Sequence, residues 1–236
     1  MITSRQNPWF QRLRDAIREH ADEIVIEGPK PVADAVAAGW RPIAVIERAG
    51  ERAPGAGSVV FSAALFDQLS ETKTSQGVLA LFERPDPPGL LTIRDRIIVA
   101  LDAVQDPGNV GTIIRLAAAF DAGGVALLPG CADAFGPKAI RASAGAILTV
   151  PVGNVTTREL LDCGLPLFAA AGDGQPIDPP SGNAILIFGN EGTGVSPELR
   201  EHATAIAIAT SGRVESLNVA ASAAILLSRA FDPRTK

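Results

Sequence analysis

The chain has 236 residues, 47% of them apolar, and a net charge of -5. That is enough for a real core in one large domain or two small ones, and the acidity argues mildly against a nucleic-acid partner unless cations cluster locally. Two cysteines (Cys131, Cys163) and two histidines (His20, His202) in unrelated contexts offer neither a disulfide scaffold nor metal-ligand spacing, and no apolar run is long enough to span a bilayer.

Taken in chain order, residues 1–18 carry Arg5, Arg12, Arg14 and Arg18 against Asp15 alone. This basic arm reads either as a local RNA contact or as a solvated helix face. The opening Met-Ile-Thr-Ser-Arg-Gln-Asn lacks a signal-peptide core, so a cytoplasmic protein is expected. Phe10, Leu13 and Ile17 predict a helix over 9–20. A strand Ile24–Ile26, a helix ending at Gly39, strands Ile43–Ile46 and Val59–Phe61, a helix near Ala63–Leu69 and a strand Val78–Phe82 follow. They make a small α/β unit of about the minimum independent size. Glu83-Arg-Pro-Asp-Pro-Pro-Gly89 opposes both helix and sheet and marks the boundary.

Beyond it strand and helix alternate. Strand Ile97–Leu101 leads to helix 109–121, then strand Val125–Leu128, a helix around Pro137–Ser143, strand Leu148–Val152, helix 156–162 and strand Leu167–Ala170. A Gly/Pro-rich stretch, 172–182, precedes strand Ala184–Phe188, a short helix after Ser196, strand Ala205–Ala209 and a final helix 217–230. Such alternation predicts a parallel sheet with helices on both faces.

Three blocks sit where strands give way to polar or Gly-rich sequence, which in an open α/β sheet is where ligands bind. The first is Asn109-Val-Gly-Thr-Ile-Ile-Arg115. Asn109 reads as the N-cap of its helix or as a functional amide. Arg115 lies among Ile113, Ile114, Ala117 and Ala118, which predict a covered helix where a charge needs a partner. Its Cα stands about 9 Å along the axis from Asn109, and helical side chains lean towards the N-terminus. The guanidinium can therefore reach the helix start and grip a phosphate or carboxylate; the alternative is a salt bridge to Asp102 or Asp106.

The second block, Gly189-Asn-Glu-Gly-Thr-Gly194, follows a strand apolar enough to be buried. Gly189, Gly192 and Gly194 admit close approach of backbone to a ligand. Val195-Ser196 stands where a Walker A loop needs Lys-Ser/Thr, so that reading is rejected. The absence of G-x-G-x-x-G after a first strand disfavours a nicotinamide-dependent oxidoreductase. Glu191 is a solvated loop acid or a carboxylate placed to orient a hydroxyl or amine. The third block, Ser216-Leu-Asn218, opens a helix rich in alanine at 220, 221, 223 and 224, suited to close packing on a loop, a cofactor or a second subunit. Ser216 or Asn218 can cap that helix, and Ile208 and Leu217 can sandwich a planar ring.

In this order and spacing the blocks resemble the three signature motifs of the SpoU/TrmH branch of the SPOUT RNA methyltransferases, N-x-G-x-x-x-R, G-N-E-G and S-L-N before an Ala-rich helix. The front unit, through Val25-Ile-Glu27-Gly28 and Ser75-Gln-Gly77-Val78, resembles more weakly the ribosomal-protein-like substrate-binding domain often attached to that family. The resemblance implies an α/β fold with three parts: an RNA substrate-binding domain (1–84), a linker (85–95) and a SPOUT methyltransferase domain (96–236). The last would be a parallel sheet whose C-terminal segment forms a deep trefoil knot, in an obligate homodimer. It implies S-adenosyl-L-methionine held by Gly189, Ile208, Leu217 and Asn218, with no metal and no membrane. The reaction implied is methylation of a ribose 2′-hydroxyl in structured RNA, with Asn109, Arg115, Glu191, Ser216 and Asn218 as catalytic residues. Arg5, Arg12 and Arg14 would contact RNA.

Ribosomal RNA is the expected substrate; transfer RNA, or a non-catalytic RNA-binding module on the same fold, are the alternatives. In related enzymes the motif-one arginine has been proposed as the general base. A guanidinium stays protonated at neutral pH and is therefore a poor base there. Arg115 is therefore expected to clamp a substrate phosphate and polarise the 2′-oxygen, while Glu191, Ser216 and Asn218 orient the hydroxyl or relay its proton.

Overall fold

The structure, a computed structural model, describes residues 1–19, 22–51, 55, 57–70, 75–85 and 89–231. His20 and part of the expected linker (86–88) lie outside them. The chain divides into two compact units, Met1–Pro85 with Phe135–Pro137, and Asp86–Ala134 with Lys138–Lys236.

In the first unit α1 (Pro8–Glu19), β1 (Glu23–Glu27), α2 (Pro29–Ala37), β2 (Pro42–Arg48), β3 (Val59–Phe61), α3 (Ala63–Phe66) and β4 (Val78–Glu83) form a four-stranded sheet of order β1-β4-β2-β3. β4 is antiparallel to both neighbours and β2 is parallel to β3. The helical spacing read in α1 places Phe10, Leu13 and Ala16 in one core with Val25, Ile46, Phe61, Phe66 and Leu81. Gly39 ends α2 with φ +88°, its N–H reaching Val36 O while Trp40 N–H reaches Ala35 O, an arrangement a side chain would strain.

The second unit contains β5 (Ile97–Asp102), α4 (Pro107–Ala119), β6 (Gly124–Leu127), α5 (Pro137–Ser143), β7 (Val152–Asn154), α6 (Thr157–Asp162), β8 (Leu167–Gln175), β9 (Ala184–Gly189), α7 (Pro197–His202), β10 (Thr204–Ile206) and α8 (Val219–Ala230). Its six strands run in the order β10-β8-β9-β5-β6-β7, every pair parallel. β5 and β9 are buried along their whole length, as expected of central strands in a parallel sheet covered on both faces. Ile98, Ala100, Ile185 and Ile187 share a core with Leu160 of α6 and Leu199 of α7, while α4 and α8 pack on each other and against β6 and β9.

Several boundaries differ from the sequence expectation, each for a local reason. α4 begins at Pro107 rather than 109, because Asp106 caps it and Pro107 occupies the first turn. Leu148–Val152 is not a strand: Gly145 at φ +87° starts a 3-10 turn over Ala146–Leu148, and the strand follows Pro151 as β7. β8 continues into the Gly-rich stretch, since a Cβ on Gly174 would stand 2.7 Å from Ala205 and Ile206 backbone, a crossing only glycine admits. β10 stops at Ile206, and α8 starts at Val219 behind its Asn218 cap.

Candidate active site

Because every strand of the six-stranded sheet is parallel, the segments leaving β5, β9 and β10 emerge on one edge, at the carboxyl ends. Asp102 of β5 and Gly189 of β9 are register partners at that edge. After β5 the chain enters α4, capped by Asp106 Oδ1, which accepts from Gly108 N–H at 2.6 Å and from Lys138 Nζ at 2.9 Å. After β9 the chain folds back on itself. Asn190 and Gly194 exchange backbone hydrogen bonds of 2.9 and 3.0 Å, and Asn190 Oδ1 accepts from Gly192 and Thr193 N–H at 2.9 and 3.1 Å. A Cβ on Gly189 would lie 2.1 Å from Gly194 C and Val195 N, so its missing side chain makes room for the chain's own backbone. α8 opens at Asn218, whose Oδ1 accepts from Ala220 and Ala221 N–H at 2.9 and 3.2 Å.

Three of the sequence-selected residues meet in a single hydrogen-bonded line. Asn109 Nδ2 donates to Glu191 Oε1 at 2.9 Å, and Asn218 Nδ2 donates to Asn109 Oδ1 at 3.2 Å. The direction of every bond follows from chemistry. An ionised carboxylate only accepts, so Asn109 must turn its amide nitrogen to Glu191; its oxygen then faces Asn218, whose own oxygen is left for the α8 N-terminus. Glu191 also accepts from Gln105 and Asp106 N–H at 3.3 and 3.4 Å. Burial pushes its pKa upward, but the hydrogen bonds from Asn109 and from backbone N–H groups outweigh burial and hold the carboxyl below its ordinary range. Asp106 is likewise lowered, first by the hydrogen bond from Lys138 and then by that from Gly108.

The remaining expectations fare differently. Asn109 is not the N-cap of α4: it stands three residues inside the cap Asp106, which frees its side chain for Glu191 and Asn218. Arg115 is exposed, not covered, because it points off the α4 face that carries Val110, Ile113, Ile114 and Ala117 into the core. Neither acid considered for it is its partner: Asp106 takes Lys138, and Asp102 accepts Ser196 N–H at 2.7 Å. Ser216 and Leu217 are exposed, Ile208 is half-buried and Gly189 is buried. In the first unit Arg12 grips Glu23 at 2.9 and 3.0 Å and stands 5.5 Å over the Trp9 ring, Arg14 pairs with Asp15 at 2.8 Å, and Arg5 is exposed.

Sequence reasoning gave no role to Asn190 or Lys138 and considered Asp102 only as a salt-bridge partner for Arg115, yet all three shape the site. Asn190 organises its loop and donates to Ala103 O at 2.9 Å; Asp102 holds Ser196; Lys138 braces the α4 cap. The Asp106-Pro107 pair was the available signal for the cap, since Pro favours the first helical turn. Among the described residues no group of three His, Cys, Asp or Glu could hold a metal ion, and no helix is long and apolar enough to cross a membrane.

Comparison with known proteins matches residues 96–228 to the SpoU rRNA Methylase family. The 23S rRNA (guanosine(2553)-2′-O)-methyltransferase RlmP of Bacillus subtilis is 38% identical over 69% of this chain and 67% of its own length. An uncharacterized tRNA/rRNA methyltransferase of Synechocystis is 31% identical over 97% of this chain and 92% of its own. Among solved structures, an AdoMet-bound rRNA methyltransferase from Sinorhizobium meliloti superposes with a TM-score of 0.83 at 28% identity, covering 97% of this chain and 96% of that one.

Proposed function

Because the chain belongs to the SpoU rRNA Methylase family, we propose that it methylates a ribose 2′-hydroxyl of ribosomal RNA, using S-adenosylmethionine. The observation that carries this reading is the line Glu191–Asn109–Asn218, which joins all three sequence blocks at the carboxyl edge of the sheet. The printed activity of the Bacillus relative supports ribosomal over transfer RNA, and the AdoMet-bound Sinorhizobium structure supports the methyl donor.

The donor's fit rests on half-buried Ile208, just after β10, and exposed Leu217, just before the Asn218 cap of α8, apolar side chains of the kind that flank a planar ring. Gly189 contributes backbone only. When bound, S-adenosylmethionine supplies an electrophilic methyl whose bond to sulfur breaks, with the electron pair left on sulfur, as the bond to the 2′-oxygen forms. The protein's share is alignment, worth about 7–11 kcal/mol in favourable cases. Glu191, held below the ordinary carboxylate range, is a poor proton acceptor; it anchors the Asn109 amide, which in turn fixes Asn218. Arg115, exposed on α4, clamps a phosphate of the substrate and polarises the 2′-oxygen, whose proton leaves to solvent. Ser216, two residues before Asn218, helps orient the hydroxyl.

Homodimerisation, a cytoplasmic location and a knotted path of the C-terminal segment belong to the same proposal. The exposed apolar side chains Val214 and Leu217 support the dimer, and the close backbone crossing of Gly174 with Ala205 and Ile206 supports the knotted path. The same proposal gives residues 1–84 the role of holding RNA, with Arg5, the most available of Arg5, Arg12 and Arg14, as the first phosphate contact. Transfer of labelled methyl from S-adenosylmethionine to ribosomal RNA by the purified protein tests the reading. Incorporation at a ribose 2′-oxygen, lost in Arg115→Ala, is expected; label on a base, or none, overturns it.

A further inference from the structure

We infer that Asp102 is a positioning residue for Glu191, acting through the loop Asn190–Ser196; the inference rests on the methyl-transfer reading above. Asp102 ends β5 after five apolar residues and is itself 8% exposed, one of only three buried polar or charged residues among those described. A carboxylate in such a place is costly unless its lone pairs are used. Asp102 Oδ2 accepts the N–H of Ser196, the last residue of the loop, at 2.7 Å. The next residue, Ala103, adopts the left-handed conformation with φ 54°, unusual for a residue with a side chain. Its carbonyl accepts from the side chain of Asn190, the first residue of the loop, at 2.9 Å.

Two consecutive residues at the end of β5 therefore hold both ends of the loop, and Glu191 follows directly on the held Asn190. The partners of Glu191 (Gln105, Asp106 and Asn109) come from the chain just beyond Asp102 and Ala103. An acid placed at strand end, where every preceding side chain is apolar, and a strained alanine beside it, both have the same consequence. They fix where the Glu191 carboxylate stands relative to the α4 N-terminus.

The test is a double-mutant cycle on single-turnover methyl transfer at saturating RNA and S-adenosylmethionine, together with amide hydrogen exchange across 190–196. Asp102→Ala is expected to slow transfer roughly 10- to 100-fold with the half-saturating RNA concentration within about twofold. Asp102→Asn, which keeps an acceptor oxygen for Ser196, is expected to restore the rate to within about threefold of wild type. In a Glu191→Gln background Asp102→Ala should add less than about a twofold loss, because placing the carboxylate no longer matters. Exchange at Ser196, Gly192 and Thr193 should accelerate in Asp102→Ala and much less in Asp102→Asn.

Full multiplicative losses, an effect confined to RNA half-saturation, or unchanged exchange overturn the inference while leaving the methyl-transfer reading intact. A wild-type protein that transfers no methyl overturns that reading instead, and exchange still decides whether Asp102 holds the loop. Should Asp102→Ala fail to fold, Asp102→Ser, which stays polar but is too short to keep the acceptor for Ser196 N–H, takes its place. It is expected to show the same slowing and the same insensitivity in the Glu191→Gln background, and additive losses there overturn the inference equally.

Discussion

In the loop Asn190–Ser196 nearly every polar group is spent on the protein itself: Asn190 on Gly192, Thr193 and Ala103, Glu191 on Asn109 and two backbone N–H groups, Ser196 on Asp102. The segment 207–217, leaving β10 of the same sheet, is built the other way. Its residues from Ala209 on are exposed, Val214 and Leu217 keep 56% and 37% of their surface in solvent, and the side-chain hydrogen bond found among them is Thr210 Oγ1 with Gly212 N–H at 3.3 Å. The first loop is set before anything binds, which suits groups that must align a reacting atom. The second presents apolar side chains to solvent, which under the proposed function suits the part that closes on a ligand or a second copy.

Substitutions that strike the rigid loop should dominate. Gly189→Ala puts a Cβ 2.1 Å from Gly194 backbone; neither strand nor loop can yield cheaply, so a loss of about 3 kcal/mol in unfolding free energy is expected by denaturant titration. A loss below about 1 kcal/mol would mean the loop is not held shut. Arg115→Lys, which keeps the charge but removes the planar fork, should cut the single-turnover rate about 100-fold while Tm stays put, because Arg115 is exposed on α4. Near-normal rates would remove the clamp.

In the open segment the signature reverses. Leu217→Ser should leave stability within about 0.5 kcal/mol, yet weaken S-adenosylmethionine binding about tenfold by calorimetry. Asn218→Ala, at the junction of the two behaviours, removes the α8 cap and should cost about 1 kcal/mol in thermal or denaturant unfolding. The smallest effect is on pH. Glu191 and Asp106 are held below their ordinary pKa in the folded state. Their contribution is thus complete above the ordinary carboxylate range and is lost as pH falls through the lower folded values. Tm in Glu191→Gln should therefore fall less steeply on acidification than in wild type, and parallel curves would contradict the assignment.

Much of the fold was legible because the core strands are unambiguous. Ala184-Ile-Leu-Ile-Phe188 can only be buried, and the alternation with helices leaves parallel pairing as the natural outcome. Where reading failed, a local device had overridden composition. Gly172 and Gly174 look like loop residues but belong to β8, since the glycine is there for the approach of Ala205 and Ile206. Apolar Ile113, Ile114 and Ala117 implied a covered Arg115, but they face the core while the arginine lies off that face. The site was legible as three blocks and not as a network. Asp106-Pro107 did signal the cap that Asn109 yields, but no sequence pattern reveals that Asp102 and Ala103, eighty-odd residues away, tie down the Glu191 loop.

The most direct test of the central claim is a map of ribose 2′-O-methylation in RNA from cells lacking this gene, set against the parent strain. One methylated ribose should be missing from ribosomal RNA and should return on complementation with the wild-type gene but not with Arg115→Ala. An unchanged map, or a lost modification on transfer RNA alone, would contradict it.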